Sequence, residues 1–195
     1  MLRKIVRIAV RFVSCVLHRV EYQGLDNISK DKLYVFAANH VGAMDPAYIM
    51  NKVENLGIMA KAELFKKPVV KQVVEACGAF PIERGKKDVK AVLHASRIIT
   101  DEHKNLLIFP EGTRNAIKKK VRAKDGAVCI AEVANVDIIP VHITEKTGLL
   151  KKYKVKFGEP MSVKAVLNEE SKAEARHRLT KELMERIYSM RDENE

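Results

Sequence analysis

The stretch LYVFAANHVGAMDP, residues 33–46, sets an apolar run, a histidine and a helix start in immediate succession. All six residues from 33 to 38 are apolar, which is typical of a strand that is covered on both faces, as in a parallel sheet. Asp45 followed by Pro46 predicts that a helix begins here, with the aspartate as its N-cap and the proline at its first position. This order of elements indicates an α/β protein.

The same alternation continues along the chain. Apolar runs predict further strands at 57–60, 79–82, 105–110, 137–143 and 152–158. Helical periodicity predicts helices at 46–53, 68–76, 87–102, 123–134 and 169–190. The alternating lysines of the last strand are typical of a sheet edge that is protected from pairing with another chain. We therefore predict an α/β fold in a single domain, with a mostly parallel sheet flanked by helices.

Composition limits the classes of partner. The 195 residues are 47% hydrophobic, enough for one domain with its own core. A formal net charge of +11 favours anionic partners. Because the chain has no Trp and few other aromatic residues, it is poorly supplied for stacking on nucleic-acid bases, and we expect no nucleic-acid partner. Cys15, Cys77 and Cys129 lie far apart in apolar surroundings, which indicates reduced, buried thiols of a cytosolic protein.

The first 22 residues predict an amphipathic helix. Arg3, Arg7 and Arg11 fall on one side and apolar residues on the other. The charges are too frequent for a spanning helix, which needs about 20 apolar residues. We expect this segment, 1–22, to lie in a membrane interface with its arginines toward lipid phosphates, and residues 23–195 to form the catalytic domain. The alternative is a helix that packs on the core with a solvated basic face.

His40 and Asp45 predict a general base. In open α/β sheets, sites form at the carboxyl ends of strands, and His40 follows such an end. The intervening loop contains Gly42 to let it turn, so the Asp45 carboxylate can fold back against the imidazole. A carboxylate on one ring nitrogen fixes the tautomer and raises the basicity of the other, which can then accept a proton from a substrate hydroxyl. The alternative is a plain N-cap beside an incidental histidine.

Three further strand ends carry polar side chains. FPEGTRN, residues 109–115, brings an acid, a glycine, a hydroxyl and an arginine to one of them. Gly112 allows close backbone approach, and Arg114 offers a fork for phosphate. Arg84 follows the strand at 79–82, and Lys61 follows the strand at 57–60. Each alone is commonly a solvated charge or a tight turn, but their convergence predicts a ligand crevice.

These blocks resemble those of the 1-acylglycerol-3-phosphate acyltransferases, the lysophosphatidic acid acyltransferase family. NHVGAMDP matches the family's N-H-x-x-x-x-D block, and GAFPIER resembles G-x-x-F-I-x-R, with Glu83 in place of the common aspartate and Pro81 inserted before Ile82. FPEGTRN matches F-P-E-G-T-R-S with Asn115 in place of serine, and DIIPVHI resembles the final block, with Pro140 at its centre. The blocks keep the family's order over about residues 30–145.

The resemblance implies a role for each matching residue. His40 is the general base and Asp45 orients it. Arg84 and Arg114 hold the acceptor's phosphate, with Lys61 as a further candidate. The block of Glu111, Gly112 and Thr113 shapes the acceptor site, and Pro140 lines the pocket. Backbone amides near the 40–45 loop are candidates for the oxyanion donors.

The implied reaction transfers an acyl chain from a thioester to the free hydroxyl of 1-acylglycerol 3-phosphate, forming phosphatidic acid in phospholipid biosynthesis. Acyl-CoA or acyl-carrier protein serves as co-substrate, and no cofactor, metal or covalent enzyme intermediate is required. We expect a peripheral enzyme at the cytoplasmic face of the cell membrane. The basic run KKKVRAK, residues 118–124, meets headgroups, coenzyme A phosphates or an acidic carrier protein, or is only a solvated loop.

Three other functions stay open at this point. The acceptor is another lyso-lipid or a glycolipid in the first, and water replaces the alcohol in the second, which makes the protein a hydrolase. The third is a basic module that binds nucleic acid or membrane without catalysis, and it leaves His40, Asp45 and FPEGTRN unexplained.

Overall fold

The computed structural model describes residues 2–17, 19–82, 89–119, 121–144, 152–164 and 171–193. Within these residues the strands are β1 (Arg19–Gln23), β2 (Tyr34–Ala38), β3 (Leu56–Lys61), β4 (Ala79–Ile82), β5 (Asn105–Ile108), β6 (Asp137–Ile143) and β7 (Lys152–Phe157). The α-helices are α1 (Leu2–Leu17), α2 (Asp45–Met50), α3 (Pro68–Ala76), α4 (Val89–Thr100), α5 (Ala116–Lys119), α6 (Gly126–Ala134) and α7 (Lys172–Ser189). Short 3-10 helices cover Leu25–Asn27 and Ala62–Lys66.

The described strands form one sheet in the order β1-β7-β6-β2-β5-β3-β4. Every pairing is parallel except that of β6 with β7. The predicted α/β fold with a mostly parallel sheet is therefore confirmed. Because β2, β5, β3 and β4 are parallel neighbours, their carboxyl ends meet at one edge of the sheet, where the candidate site residues follow them.

Two apolar layers cover the sheet. Val35 points into the layer that includes residues of α4, α6 and α7, whereas Phe36 points into the layer that includes residues of α2. Successive strand residues face opposite sides, so both layers need apolar side chains from β2. This explains why residues 34–38 are all buried and why their sequence reads as an unbroken apolar run.

Two sequence predictions at the other edge of the sheet were wrong. The amphipathic helix ends at Leu17, and residues 19–22 belong to strand β1, which pairs with β7 in parallel. The strand at 152–157 is therefore internal, between β1 and β6, and is not an edge strand. Two lysines of β7 do not protect an edge but bind the C-terminal segment: the ammonium groups of Lys154 and Lys156 both contact the carboxylate of Asp192.

The two cysteines whose side chains are described are free thiols. Cys77 and Cys129 are half-buried, where full burial was expected. Burial raises the pKa of both thiols, so they stay protonated at neutral pH.

Candidate active site

His40 and Asp45 are in direct contact at the carboxyl end of β2. Nδ1 of His40 lies 2.7 Å from Oδ2 of Asp45, and the aspartate side chain is 1% exposed against 15% for the histidine. Since an ionised carboxylate only accepts hydrogen bonds, the imidazole donates from Nδ1. Nε2 then carries the lone pair and is the nitrogen available to a substrate.

The Asp45 side chain holds the loop as well as the ring. The same oxygen accepts hydrogen bonds from the backbone N–H groups of Val41, at 2.6 Å, and Gly42, at 2.8 Å. The predicted N-cap role for Asp45 is wrong, because Met44 occupies the N-cap position and Asp45 is the first residue of α2. The carboxylate turns back into the preceding loop and caps that loop instead of the helix.

Gly42 is not required for this turn by its backbone conformation. Its φ is not positive, so the expectation that glycine is needed to let the loop turn is wrong. A Cβ placed there would lie 3.4 Å from Oδ1 of Asp45, an ordinary van der Waals distance. The contribution of Gly42 to the described loop is the backbone N–H that it donates to Asp45.

The segment after β5 approaches His40 from two directions. The Phe109 ring stacks on the imidazole with centroids 4.0 Å apart and planes 20° from parallel. The backbone N–H of Asn115 donates to the carbonyl of His40 at 2.7 Å. Gly112 and Asn115 adopt the left-handed region, with φ of 64° and 53°. These two residues turn the chain back toward β2, and at Gly112 this conformation explains the glycine of the block.

Glu111 lies inside this turn and is 5% exposed. Its Oε1 accepts a hydrogen bond of 2.6 Å from the hydroxyl of Tyr188, near the end of α7. The following Thr113 is half-buried, and its hydroxyl accepts a hydrogen bond of 3.4 Å from Nζ of Lys119.

The cationic candidates lie along the same edge of the sheet. Arg114 is exposed, directly after the Gly112 turn. Lys61 is exposed at the end of β3, which is separated from β2 by β5 and hence lies about 10 Å from it. Arg84 lies outside the described residues. The last residue of strand β4, Ile82, pairs with Lys61.

Sequence reasoning gave no role to two residues that shape the site. Asn39 is 2% exposed, and its amide both donates to the carbonyl of Ile143, at 2.8 Å, and accepts from the N–H of that residue, at 2.7 Å. It thus fixes the end of β2 to β6. The signal was a polar residue inside the motif at the end of an apolar run. The second residue without a predicted role is Phe109, and the one sequence feature that pointed to it was its position at the end of a predicted strand.

Among the described residues, no group of three or more His, Cys, Asp or Glu side chains is arranged to hold a metal ion. Near Asp45, burial is the main cause that raises the pKa of Tyr48 above its usual range, so this phenol stays neutral. The described residues define an α/β protein in which an imidazole is paired with a buried carboxylate at the carboxyl edge of a mostly parallel sheet.

Comparison with known proteins agrees with that class. The chain belongs to the Acyltransferase family, whose sequence model matches residues 19–144. The 1-acyl-sn-glycerol-3-phosphate acyltransferase of Streptococcus pneumoniae is 31% identical over 150 residues, which are 73% of this chain and 55% of that protein. The enzyme of the same name from Limnanthes alba is 27% identical over 129 residues, 64% of this chain and 45% of that protein. The chain thus spans about half the length of these two curated relatives.

The fold is also similar to a solved structure. The crystal structure of the 1-acyl-sn-glycerophosphate acyltransferase from Thermotoga maritima superposes with a TM-score of 0.72 at 26% identity. The match covers 96% of this chain and 77% of that one. The resemblance read from the four sequence blocks is therefore confirmed.

Proposed function

We propose that the protein transfers an acyl chain from a thioester to the free hydroxyl of 1-acylglycerol 3-phosphate, forming phosphatidic acid. The 2.7 Å contact between His40 and Asp45 at the carboxyl edge of the sheet is the observation that carries this proposal. The relatives named for this reaction support the choice of acceptor.

The proton moves through His40. Nε2 accepts the hydroxyl proton while the acceptor oxygen attacks the thioester carbonyl. The ionised Asp45 stabilises the imidazolium that forms, and the imidazolium then protonates the departing thiolate. Phe109, stacked on the ring, holds its plane in position. A general base of this kind contributes about 10²–10⁴-fold to the rate.

The acceptor's phosphate is bound by cations at the same edge. Arg114 presents an exposed guanidinium, whose fork fits a phosphate, and directly precedes Asn115, which donates to the His40 carbonyl. Lys61 and Arg84 are the further cations that we assign to this task. Binding the phosphate in place converts the attack into an intramolecular step, which is worth as much as the base itself or more.

The oxyanion donors are not the first amides of the 40–45 loop. The N–H groups of Val41 and Gly42 already donate to Asp45, and that of Asn115 donates to His40. They therefore serve the geometry of the base and are not offered to the developing oxyanion.

The acyl donor binds near the basic turn of residues 121–124, which follows α5. Arg122 and Lys124 are exposed, and the N–H of Lys124 donates to the carbonyl of Pro110 at 3.0 Å. Lys119, also exposed, reaches Thr113 in the candidate site. The turn is thus attached to the segment that approaches His40. We assign it the phosphates of an acyl-CoA or acyl-carrier protein co-substrate.

Helix α1 provides the membrane contact in this proposal. Ile5, Ile8 and Phe12 are more than half exposed, and Val13 is 42% exposed. The expectation that the arginines face lipid phosphates is wrong for Arg11, whose guanidinium donates to the carbonyl of Asn51 at 2.9 Å. The polar side of the helix faces the protein at this point, and apolar residues face outward, which is the orientation that a bilayer surface favours.

A second helix extends this apolar surface. Helix α3 packs on α1 and exposes Val69, which is 76% exposed, and Val73. Exposed lysines accompany them on α3 and the preceding turn, Lys66, Lys67 and Lys71. Apolar side chains flanked by lysines fit an anionic lipid surface. Within the described residues no helix is both long and apolar enough to cross a membrane. We assign this surface to the cytoplasmic face of the cell membrane, where both thioester donors occur.

The proposal is tested by incubating the protein and an acyl thioester with each of three acceptors and identifying the products by mass spectrometry. The acceptors are 1-acylglycerol 3-phosphate, 1-acylglycerol and 1-acylglycerophosphocholine. We expect phosphatidic acid from the first and little product from the others. Product from another acceptor alone would change the substrate, and free fatty acid with no lipid product would make the protein a hydrolase.

A further inference from the structure

We infer that Tyr188, in the last turns of α7, is a positioning residue that fixes Glu111 and through it the turn at 111–115 beside His40. The part of this inference that concerns the acceptor depends on the function proposed above. The positioning itself rests on contacts between described residues.

The contact between the two side chains is a strong one. The Tyr188 hydroxyl lies 2.6 Å from Oε1 of Glu111, which is the range of a hydrogen bond to an ionised carboxylate. A carboxylate cannot donate, so the phenol is the donor. Because Glu111 is only 5% exposed, its charge has lost most of its hydration, and a buried charge that loses one donor is costly.

The protein also fixes the tyrosine. The ring of His142, a fully buried residue of β6, packs edge-on against the Tyr188 ring with centroids 6.3 Å apart. Four residues farther along, the Asp192 carboxylate binds Lys154 and Lys156 of β7. Nζ of Lys156 also donates to the carbonyl of Met190 at 2.8 Å. The phenol therefore reaches Glu111 from a helix end that contacts β6 through the tyrosine ring and is bound to β7 through the residues that follow it.

Glu111 is well placed to transmit this fixation to the site. It stands between Phe109, which stacks on the His40 ring, and Asn115, which donates to the His40 carbonyl. Arg114, the proposed phosphate ligand, belongs to the same turn. The hydrogen bond between the Glu111 carboxylate and α7 thus fixes the segment 109–115, whose first and last residues both contact His40.

This inference assigns a functional effect to a residue far from the sequence blocks. If Tyr188 only stabilises the fold, removing its hydroxyl lowers the melting temperature and leaves the binding of the acceptor unchanged. If it positions the turn, the loss appears mainly as a higher KM for the acceptor, with a smaller change in kcat.

The test compares Tyr188→Phe with Tyr22→Phe. Tyr22, on the edge strand β1, donates its hydroxyl to the Tyr48 carbonyl at 3.1 Å and accepts from Nδ2 of Asn51 at 3.5 Å, so its variant also loses hydroxyl bonds, but none to the 111–115 turn is among them. Three quantities are measured for each full-length protein. They are the melting temperature, KM and kcat for 1-acylglycerol 3-phosphate, and amide hydrogen exchange of the peptide that spans 109–115.

We expect Tyr188→Phe to raise KM for the acceptor about 10-fold or more, since bonds to charged groups are worth that much. Exchange in 109–115 should become faster, and Tyr22→Phe should change neither quantity. In the double variant Glu111→Ala/Tyr188→Phe, KM should equal that of Glu111→Ala alone, because Glu111→Ala removes the acceptor and Tyr188→Phe removes the donor of the same hydrogen bond.

Two results would overturn the inference. One is that Tyr188→Phe lowers the melting temperature but matches Tyr22→Phe in KM and in exchange. The other is that the effects of Glu111→Ala and Tyr188→Phe multiply in the double variant. The exchange measurement needs no substrate. A wild type without acceptor-dependent transfer would therefore overturn the proposed function, while the exchange comparison would still decide on the positioning.

Discussion

The imidazole of His40 and the carboxylate of Asp45 meet at 2.7 Å although they are five positions apart and Asp45 already belongs to helix α2. The aspartate oxygen that holds the ring also holds the backbone of the loop. The direction of the base and the conformation of the loop are thus set by one atom. In the proposed reaction, the orientation of the base is therefore fixed before the acyl acceptor binds.

Asp45→Asn tests the charge at this atom. The amide oxygen can still accept the loop's hydrogen bonds, but it carries no charge to stabilise the imidazolium. We expect kcat to fall by about 10²–10⁴-fold with little change in KM for the acceptor. In the double variant His40→Ala/Asp45→Asn, kcat should be no lower than in His40→Ala. A double variant whose losses multiply would show that Asp45 acts apart from the base.

Arg114→Ala tests the assignment of the phosphate. Because Arg114 is exposed, its removal should weaken phosphate binding without moving His40. We expect KM for 1-acylglycerol 3-phosphate to rise about 10-fold or more, as for loss of a charge-assisted bond. Arg97→Ala, an equally exposed arginine on α4, is the control and should leave KM unchanged. Equal kinetics for the two variants would remove Arg114 from the acceptor site.

Substitutions on α1 test the membrane surface. Ile8→Asp and Phe12→Asp each place a charge on the apolar side of the helix, where these residues are 65% and 68% exposed. We expect each to lower partitioning onto vesicles of anionic phospholipid about 10-fold or more, from the loss of one buried side chain. Val133→Asp, at a residue of α6 that is 49% exposed, is the matched control and should bind like wild type. Vesicle binding that is unchanged by the α1 variants would place the membrane contact elsewhere.

The anchor of α7 predicts a pH dependence of stability. Hydrogen bonds from Lys154 and then Lys156 lower the pKa of Asp192 to about 2, against an unfolded value of about 3.9. Because the folded pKa is the lower one, this contribution to stability is fully present above about pH 4 and is lost as the pH falls through 2. The difference in melting temperature between wild type and Asp192→Asn should therefore narrow between pH 4 and pH 2. A difference that stays constant down to pH 2 would contradict the assignment.

Much of the fold could be predicted because the apolar runs are strong local signals. The strands at 79–82 and 137–143 and the helix at 68–76 have the predicted boundaries. Strand β1 was missed because its five residues alternate in exposure directly after an amphipathic helix, and the two patterns merge in sequence. The prediction that β7 is an edge strand was wrong because β1 was missed, and pairing with β1 is what makes β7 internal.

At the site, the sequence could predict the residues but not all of their contacts. The motif named His40 and Asp45, and the structure brings them together. The partner of Glu111 could not be predicted, because Tyr188 lies 77 positions away on a helix whose periodicity says only which face is buried. The prediction that Arg11 faces lipid was wrong because helical periodicity shows which residues share a face of the helix but not which face packs on the protein.

The central claim is that His40 is the base of an acyl transfer. The most direct measurement is thiol release from an acyl thioester by wild type and by His40→Ala, each with and without 1-acylglycerol 3-phosphate, with the lipid product identified. We predict that release by wild type requires the acceptor, yields phosphatidic acid and falls about 10²–10⁴-fold in the variant, the contribution of a general base. A variant that releases thiol as fast as wild type would contradict the claim, as would a wild type whose release does not depend on the acceptor.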